Sequence, residues 1–196
     1  MIFSCIPTLR PVSFLFLIVF FFFAPPLRLY DPGSSDKTCL SEWASGDRDA
    51  AVEWDYGVTD EDVAFHRFQR QTQLLFSETR DQAEWGTWYW AVHNETGLTY
   101  QSGEGMAVRE TFANDGKLSN SRDSDFRAIS KDWPVFGFAI DLGSVGSEAV
   151  NRLFTIGLDQ REAIQFDGAN GSGAEPSLWT DYFEDGEEAV CLIGYE

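Results

Sequence analysis

The sequence predicts an all-β protein, an antiparallel β-sandwich with one or two short helices. Val52, Trp54 and Tyr56 alternate with acidic residues, the pattern of a strand with one buried face. Two continuous apolar runs of strand length, residues 134–142 and 153–158, are punctuated by glycine, as is typical of strands covered on both faces. Turn sequences rich in Gly, Asn and Asp separate the strand candidates, which favours antiparallel connections.

The chain begins with a hydrophobic segment that predicts an N-terminal helix. Residues 12–24 read VSFLFLIVFFFFA and carry no charge. A membrane-spanning helix needs about 20 apolar residues, whereas the core of a signal peptide needs about 7 to 15. No A-x-A cleavage site follows. Three interpretations of residues 1–30 therefore stay open: a secretory signal peptide, an uncleaved anchor that attaches the chain to a membrane through residues 12–24, or sequence outside the domain's natural start. Residues 31–40 are interpreted as a linker, and 41–196 as the folded domain.

Cysteines and glycosylation sequons bear on the compartment. Cys39 and Cys191 are the cysteines of the predicted domain, and they form either one disulfide or two unpaired thiols. Sequons begin at Asn94 and Asn170 in turn-like sequence, so both are candidate glycosylation sites if the chain enters the secretory pathway. The predicted location is extracellular, with membrane anchoring through the N-terminal segment as the alternative.

The central elements follow from short-range patterns. Residues 63–76 form a second extended run with one wet face. Residues 85–92 and 98–101 are β-prone runs joined by Asn94-Glu95-Thr96-Gly97, which predicts a β-hairpin. Residues 106–112 form either a short helix that ends at Gly116 or a strand that enters a turn. We favour the helix, since Val108 and Phe112 have helical i, i+4 spacing.

The C-terminal third mixes loops with apolar runs. Residues 119–126 and 167–176 are predicted as loops from their polar and glycine-rich composition, and 178–183 as a short amphipathic helix. Residues 191–196 form an apolar run that we interpret as the start of a further strand, so the sandwich is predicted to be incomplete. The predicted core includes Phe136, Phe138, Ile140, Phe154 and Ile156.

Charge and aromatic content exclude two classes of protein. The chain has 14 basic and 32 acidic residues and a formal net charge of -18, so it would repel a phosphate backbone and is not a nucleic-acid-binding protein. It also has 17 Phe, 6 Tyr and 7 Trp. That apolar surface is sufficient to offset ordering entropy, which excludes a disordered acidic tail.

Motifs for catalysis or metal binding are lacking in the sequence. His66 and His93 are the two histidines, and a zinc site built on two or three histidines or on Cys pairs cannot be composed from this chain. A histidine near a strand end is usually structural. No nucleophile elbow, P-loop or dinucleotide fingerprint occurs. We therefore predict no catalytic residue, no cofactor and no metal ligand.

Carboxylates near the aromatic run have two interpretations. Glu78, Asp81 and Glu84 precede the aromatic residues, and Asp123 and Asp125 cluster with Arg127 in a predicted loop. Such groups could form a paired-carboxylate acid/base site. Because acidic residues are so abundant in this chain, we favour solvated surface positions.

The concentrated aromatic block is Trp85, Trp88, Tyr89 and Trp90. Strand alternation would direct Trp85 and Tyr89 to one face and Trp88 and Trp90 to the other, so one pair could stack on an exposed ligand while the other packs inward. Packing in the core or at a domain interface is the favoured interpretation. The alternative is an aromatic surface of a carbohydrate-binding or glycosidase-associated β-sandwich module.

Several long strings resemble a known family. EWASGD (42–47), SETRDQAEWGTWYWA (77–91), DWPVFGFAIDLG (132–143) and LFTIGLDQREAIQF (153–166) are similar to the N-terminal domain of the fungal secreted glutaminase A family. The resemblance covers about residues 41–190. It implies a β-sandwich module that precedes a separate α/α-toroid domain, in extracellular amidohydrolases that convert glutamine to glutamate and ammonia.

The toroid domain, expected to hold the catalytic centre, has no counterpart in these 196 residues. The resemblance therefore predicts an accessory module whose partner is that C-terminal toroid domain in cis. It leaves the chain's own enzymatic status uncertain and predicts that the chain is inactive on glutamine by itself.

Overall fold

The computed structural model describes residues 2–5, 28–30, 36–43, 50–79, 82–145, 147, 149–169 and 171–193. The strands are β1 (Ile2–Cys5), β2 (Arg28–Tyr30), β3 (Asp36–Trp43), β4 (Val52–Val58), β5 (Val63–Arg70), β6 (Glu78–Thr79), β7 (Gln82–Ala83), β8 (Thr87–His93), β9 (Leu98–Glu104), β10 (Pro134–Ser144), β11 (Val150–Asp159), β12 (Glu162–Gly168) and β13 (Gly171–Pro176). The helices are α1 (Gly105–Asp115) and α2 (Gly186–Ile193), with a 3₁₀ turn at Leu178–Asp181.

Two antiparallel sheets make up the body of the protein, which confirms the predicted β-sandwich. One sheet has the order β1-β11-β8-β5-β4 and the other the order β2-β3-β10-β9. Two smaller ladders, β12-β13 and β6-β7, lie outside them. The predicted N-terminal helix over residues 12–24 lies outside the described residues. Among the helices that the structure does describe, none has the length and apolarity to span a membrane.

The core lies between the two sheets. Phe68 of β5 stacks on Phe136 of β10 with ring centroids 5.0 Å apart, and Trp90 of β8 stacks on Phe154 of β11 at 4.9 Å. Four of the five predicted core residues are buried: Phe136, Phe138, Ile140 and Phe154.

The prediction for Ile156 was wrong, because its side chain is 45% exposed. β11 pairs with β1 only over residues 150–153, whereas residues 154–159 pair with β8. At Ile156, β11 is therefore an edge strand of the described sheet, with β8 as its neighbour. The side chain lies at the margin of the sandwich, where solvent reaches it.

The predicted hairpin between β8 and β9 was also wrong, although both strands form. β8 pairs with β5 and β11, whereas β9 pairs with β10 in the other sheet. The turn is present, since Leu98 N–H donates to Glu95 O at 3.0 Å, but Asp141 N–H of β10 donates to Gly97 O at 3.2 Å. The connection thus crosses between the sheets, and each strand pairs with a partner distant in sequence.

Helix α1 confirms the prediction for residues 106–112. Val108 and Phe112 are buried and pack with Leu118 and Val135. Gly116 ends the helix in the left-handed conformation with φ 66°, and its N–H donates to Phe112 O at 2.9 Å. A glycine at this position carries no Cβ penalty. Residues 119–126 form no helix or named strand, as predicted for a polar loop.

Three predictions for the C-terminal third were wrong. Residues 167–176 contribute to the β12-β13 ladder, in which Gly168 pairs with Gly171; glycine-rich composition suggested a loop, but backbone pairing needs no side chain. The segment 178–183 forms a 3₁₀ turn in place of an amphipathic helix, and Leu178 and Tyr182 are exposed. Residues 191–193 are helical and belong to α2.

Two side-chain caps, close to a capping box, stabilise the first turn of α2. Asp185 Oδ1 accepts a hydrogen bond from Glu188 N–H at 2.9 Å, and Glu188 Oε2 accepts one from Glu184 N–H at 2.7 Å. These bonds satisfy donors that have no partner inside the helix. Gly186 lies directly against the Asp159 side chain, in a space where a Cβ would not fit. The helix contacts β8 and β11.

Candidate functional site

A groove of about 410 Å³ lies on the outer face of β4, β5 and β8. Side chains alternate along a strand. Trp54 and Phe68 therefore point into the core, while their neighbours on the same strands line the groove. The groove-lining side chains on this face are Glu53, Asp55, Arg67, Gln69, Thr87 and Tyr89, with Phe126 from the loop beside β4.

A hydrogen-bonded row crosses the groove floor. Thr87 Oγ1 donates to Gln69 Oε1 at 2.7 Å, and Gln69 Nε2 donates to Glu53 Oε1 at 2.6 Å. The strand pairing places these three residues side by side, because Gln69 faces both Glu53 and Thr87. The row fixes the orientation of the amide and the carboxylate before any ligand arrives.

A second row carries charges of both signs. Arg67 Nη2 lies 3.7 Å from Asp55 Oδ2, and Arg122 Nη1 donates to Asp55 Oδ1 at 2.6 Å. The Arg67 and Asp55 side chains are 47% and 44% exposed. Ion pairs at this exposure contribute little stability, so these groups remain available to a ligand.

The loop along β4 forms one wall of the groove. Phe126 is 42% exposed and contacts Trp54 edge to face, with ring centroids 5.2 Å apart. The loop is fixed to the strand, since Val52 N–H donates to Arg127 O at 3.1 Å and Trp54 Nε1 donates to Asp123 O at 2.7 Å. The exposed ring is thus held by the sandwich core.

The end of the groove beside α2 is acidic. Burial, together with the Asp159 carboxylate, raises the pKa of the Tyr89 hydroxyl to about 12. Burial also raises the pKa of Asp159 and that of Glu187, and the Asp185 carboxylate adds to both shifts. Tyr89 is therefore a neutral hydrogen-bonding group over the range in which most proteins work.

His66 lies on the opposite side of β5, inside the sandwich. It is 1% exposed, and its Nε2 donates to Gly137 O of the facing sheet at 3.1 Å. Burial lowers its pKa to about 4, against the smaller raising effects of this hydrogen bond and of Asp55. His93 lies exposed at the end of β8. The two histidines are therefore separated, one in the core and one on the surface.

The predicted carboxylate clusters hold the fold together at two places. Glu84 is 8% exposed and accepts hydrogen bonds from Arg70 and Ser77. Arg127, 7% exposed, donates to Asp123 Oδ2 at 2.7 Å and to Asp125 O at 2.6 Å.

Two other carboxylates were predicted beside the aromatic run. Glu78 is exposed, and Asp81 lies outside the described residues. Within the part of the chain that is described, no three His, Cys, Asp or Glu side chains gather as a metal site.

The aromatic block is mostly occupied by packing. Tyr89 and Trp90 are 5% and 3% exposed, and Trp88 packs against the core cluster that contains Phe68. Trp85 Nε1 donates to Glu162 O at 2.9 Å. A ligand-binding role for these four aromatic residues stays a prediction.

The candidate modification sites lie on defined elements. Asn94 follows β8, and its N–H donates to Asp62 O at 2.7 Å. Asn170 lies outside the described residues. Cys39 belongs to β3 in one sheet and Cys191 to α2 beside the other. Glycosylation and the disulfide stay predictions.

Comparison with known proteins identifies the family. A family model described as "Domain of unknown function (DUF5127)" matches residues 38–193. The chain belongs to the DUF5127 family. Over 157 residues, 80% of the chain, it is 56% identical to a protein named Glutaminase A from Aspergillus oryzae (strain ATCC 42149 / RIB 40). It is 32% identical, over 74% of its length, to a protein named Probable glutaminase from Arthroderma benhamiae (strain ATCC MYA-4681 / CBS 112371).

The lengths of these relatives differ greatly from that of the chain. The match covers 23% of the Aspergillus protein and 18% of the Arthroderma protein, so this DUF5127 chain spans about a quarter or less of each. The resemblance to the N-terminal region of the glutaminase A family is confirmed.

The groove of the DUF5127 domain was missed by sequence reasoning. Most of its residues lie on three strands, where they alternate with the inward-facing Trp54, Phe68 and Trp88. The same alternation predicts the buried face of β4. The polar positions on the same strands were the available signal, but only the pairing of β4, β5 and β8 shows that they meet.

Proposed function

We propose that this DUF5127 chain is the accessory N-terminal β-sandwich module of a secreted glutaminase-like amidohydrolase and does not hydrolyse glutamine by itself. The observation that carries the proposal is the 56% identity to Glutaminase A over a stretch that makes up 23% of that protein. We infer that the chemistry belongs to the remaining part of such a protein, a C-terminal toroid domain in cis.

The contacts of the polar groups support an accessory role. Amide hydrolysis needs a nucleophile or activated water, a base within hydrogen-bond reach, and donors for the developing oxyanion. In this chain the buried His66 is bonded to a backbone carbonyl across the core, and Glu84 and Asp123 are held by arginines. These groups stabilise the sandwich, and that engagement favours a supporting module.

An activity assay tests the proposal directly. The purified 196-residue chain is incubated with glutamine, and released ammonia is compared with a boiled sample. We expect equal ammonia in both. Ammonia above the boiled control would refute the claim that the chain is inactive alone.

A chimera tests the module role separately. The chain's matching 157 residues replace the corresponding stretch of the Aspergillus oryzae relative. We expect a folded chimera that retains the activity of its parent, because the sandwich supports the other domain. A chimera that folds cooperatively but has lost its activity would contradict the module role.

Secretion is the remaining part of the proposal. Support comes from the segment 12–24 and from the sequon at Asn94, which lies in a turn. Expression in a fungal host should deliver the chain to the medium, and glycosidase treatment should increase its gel mobility. Retention with the membrane fraction would favour attachment through residues 12–24.

A further inference from the structure

We propose that the groove on β4, β5 and β8 binds a neutral saccharide. Glu53, Gln69 and Arg67 would bind its hydroxyl groups, and Phe126 would stack on a sugar ring. This inference goes beyond the proposed function and does not depend on it. Of the four residues of the aromatic block, the groove includes Tyr89, whereas Trp85, Trp88 and Trp90 do not line it.

The floor of the groove has the mixed hydrogen-bonding capacity that hydroxyl groups need. A hydroxyl donates one hydrogen bond and accepts others. Glu53 offers acceptors, while Gln69 offers an amide that does both. Arg67 lies 3.7 Å from Asp55, beyond hydrogen-bond distance, so its guanidinium donors can serve a ligand.

The floor is also oriented in advance. The bonds from Thr87 to Gln69 and from Gln69 to Glu53 hold the amide and the carboxylate in one arrangement on a rigid sheet. A ligand that meets fixed polar groups loses less free energy to ordering. Such an arrangement suits a rigid, polyhydroxylated ring.

Phe126 provides the apolar contact that a sugar ring requires. Its ring is 42% exposed and is held against Trp54 of the core. An aromatic face offers a large contact area, and the C–H face of a pyranose is flat and apolar. Polar floor and aromatic wall thus lie on two sides of the same groove.

The local charge favours a neutral ligand. On the floor of the groove, Glu53 and Asp55 are balanced by Arg67 and Arg122. The acidic end beside α2 and the formal charge of -18 on the whole chain add repulsion for an anion. An anion would meet the two carboxylates, and a cation would meet the two guanidinium groups. The volume of about 410 Å³ lies within the range of roughly 300–1,000 Å³ typical of ligand pockets.

Titration calorimetry of the full chain with neutral tetrasaccharides tests the proposal. The probes are β-1,3-linked glucose, β-1,4-linked glucose and α-1,6-linked mannose tetrasaccharides. We expect saturable binding of at least one. Gln69→Ala and Phe126→Ala should each weaken that binding about tenfold, the loss expected for one hydrogen bond or one stacking contact.

Matched controls come from the exposed hairpin β12-β13. Gln165→Ala and Phe166→Ala make the same chemical changes on side chains that lie outside the groove, and binding should be unchanged. If a groove variant fails to melt cooperatively, Thr87→Val and Phe126→Leu replace it. Thr87→Val removes the hydroxyl at nearly constant volume, and Phe126→Leu removes the ring but retains a branched apolar side chain.

Three results would overturn the proposal. The first is the absence of binding by all three probes. The second is equal binding by the groove variants and the wild type. If Trp85→Ala alone lost binding, the sugar would bind outside the groove. The third is tighter binding of a tetrasaccharide of uronic acids than of any neutral probe, which would contradict the charge argument.

Discussion

Acidification should destabilise this protein through His66. The ring lies between the sheets, with the ring centroids of Phe138, Tyr56 and Phe136 at 4.6, 5.4 and 5.9 Å. Its Nε2 must carry the proton, because the Gly137 carbonyl can only accept. Nδ1 is buried and has no hydrogen-bond partner in the described part of the chain. Protonation would therefore place a charged donor in an apolar environment.

The sign and size of the effect follow from linkage between protonation and folding. Burial lowers the pKa of His66 from 6.5 to about 4 in the folded protein. Below pH 6.5 the unfolded chain takes up a proton that the folded chain refuses, so stability falls as the pH falls from about 6.5 to about 4. At about 1.4 kcal/mol per pKa unit, the loss amounts to about 3 kcal/mol.

Urea unfolding at pH 7, 6, 5 and 4 measures this loss. Carboxylates also titrate in this range, so the wild type must be compared with His66→Gln, which does not titrate and retains an amide donor for Gly137. His93→Gln, on the exposed histidine, is the matched control and should follow the wild type.

The variant comparison yields a single quantity, the difference in unfolding free energy between wild type and His66→Gln. We expect this difference to decrease by about 3 kcal/mol between pH 7 and pH 4. A difference that stays constant with pH would refute the reasoning, since the buried ring would then not be the group that couples folding to protons.

Three further predictions concern a buried ion pair, the core and a helix cap, and two of them include a matched control substitution. Arg127→Ala should lower the free energy of unfolding by about 3 kcal/mol, because it leaves the half-buried carboxylate of Asp123 unpaired. Arg122 is exposed, so Arg122→Ala should lower it by less than about 1 kcal/mol. Equal urea midpoints for the two variants would contradict this prediction. Phe136→Ala should lower the free energy of unfolding by about 3 to 5 kcal/mol, and Ile156→Ala far less, because Phe136 is buried and Ile156 is exposed. An unchanged melting temperature for Phe136→Ala would show that its core contacts do not stabilise the fold. Gly116→Ala should cost about 1 kcal/mol, measured by thermal unfolding, because its φ is 66°; a stabilised variant would exclude strain at this cap.

Strand positions could be predicted from the sequence because they depend on neighbouring residues. The alternation in β4 and the apolar runs in β10 and β11 report the local environment of each strand. Pairing depends on residues far apart in the chain. Residues 94–97 form a short turn in either topology. The chain crosses between the sheets there because β9 pairs with β10, which lies more than thirty residues later in the sequence.

The sequence before the C-terminal helix contains a residue pattern that predicts a helix start. Asp185 and Glu188 have the spacing of a capping box, and the apolar run at 189–193 follows them directly. An apolar run of this length is ambiguous between strand and helix when it is considered alone. The cap decides between them, because it satisfies the first free N–H groups of the helix.

The candidate site also depends on contacts between residues far apart in the sequence, as strand β5 shows. In β5, His66 and Arg67 are adjacent, yet one contacts Gly137 inside the sandwich and the other faces the groove. The two-residue period of a strand predicts that they lie on opposite faces, but it does not indicate which face is covered. Here the second sheet encloses the His66 face, whereas α2 and the Phe126 loop lie beside the Arg67 face and leave a gap between them. The groove therefore arises from which elements cover each face of the sheet, and those elements lie far from β5 in the chain.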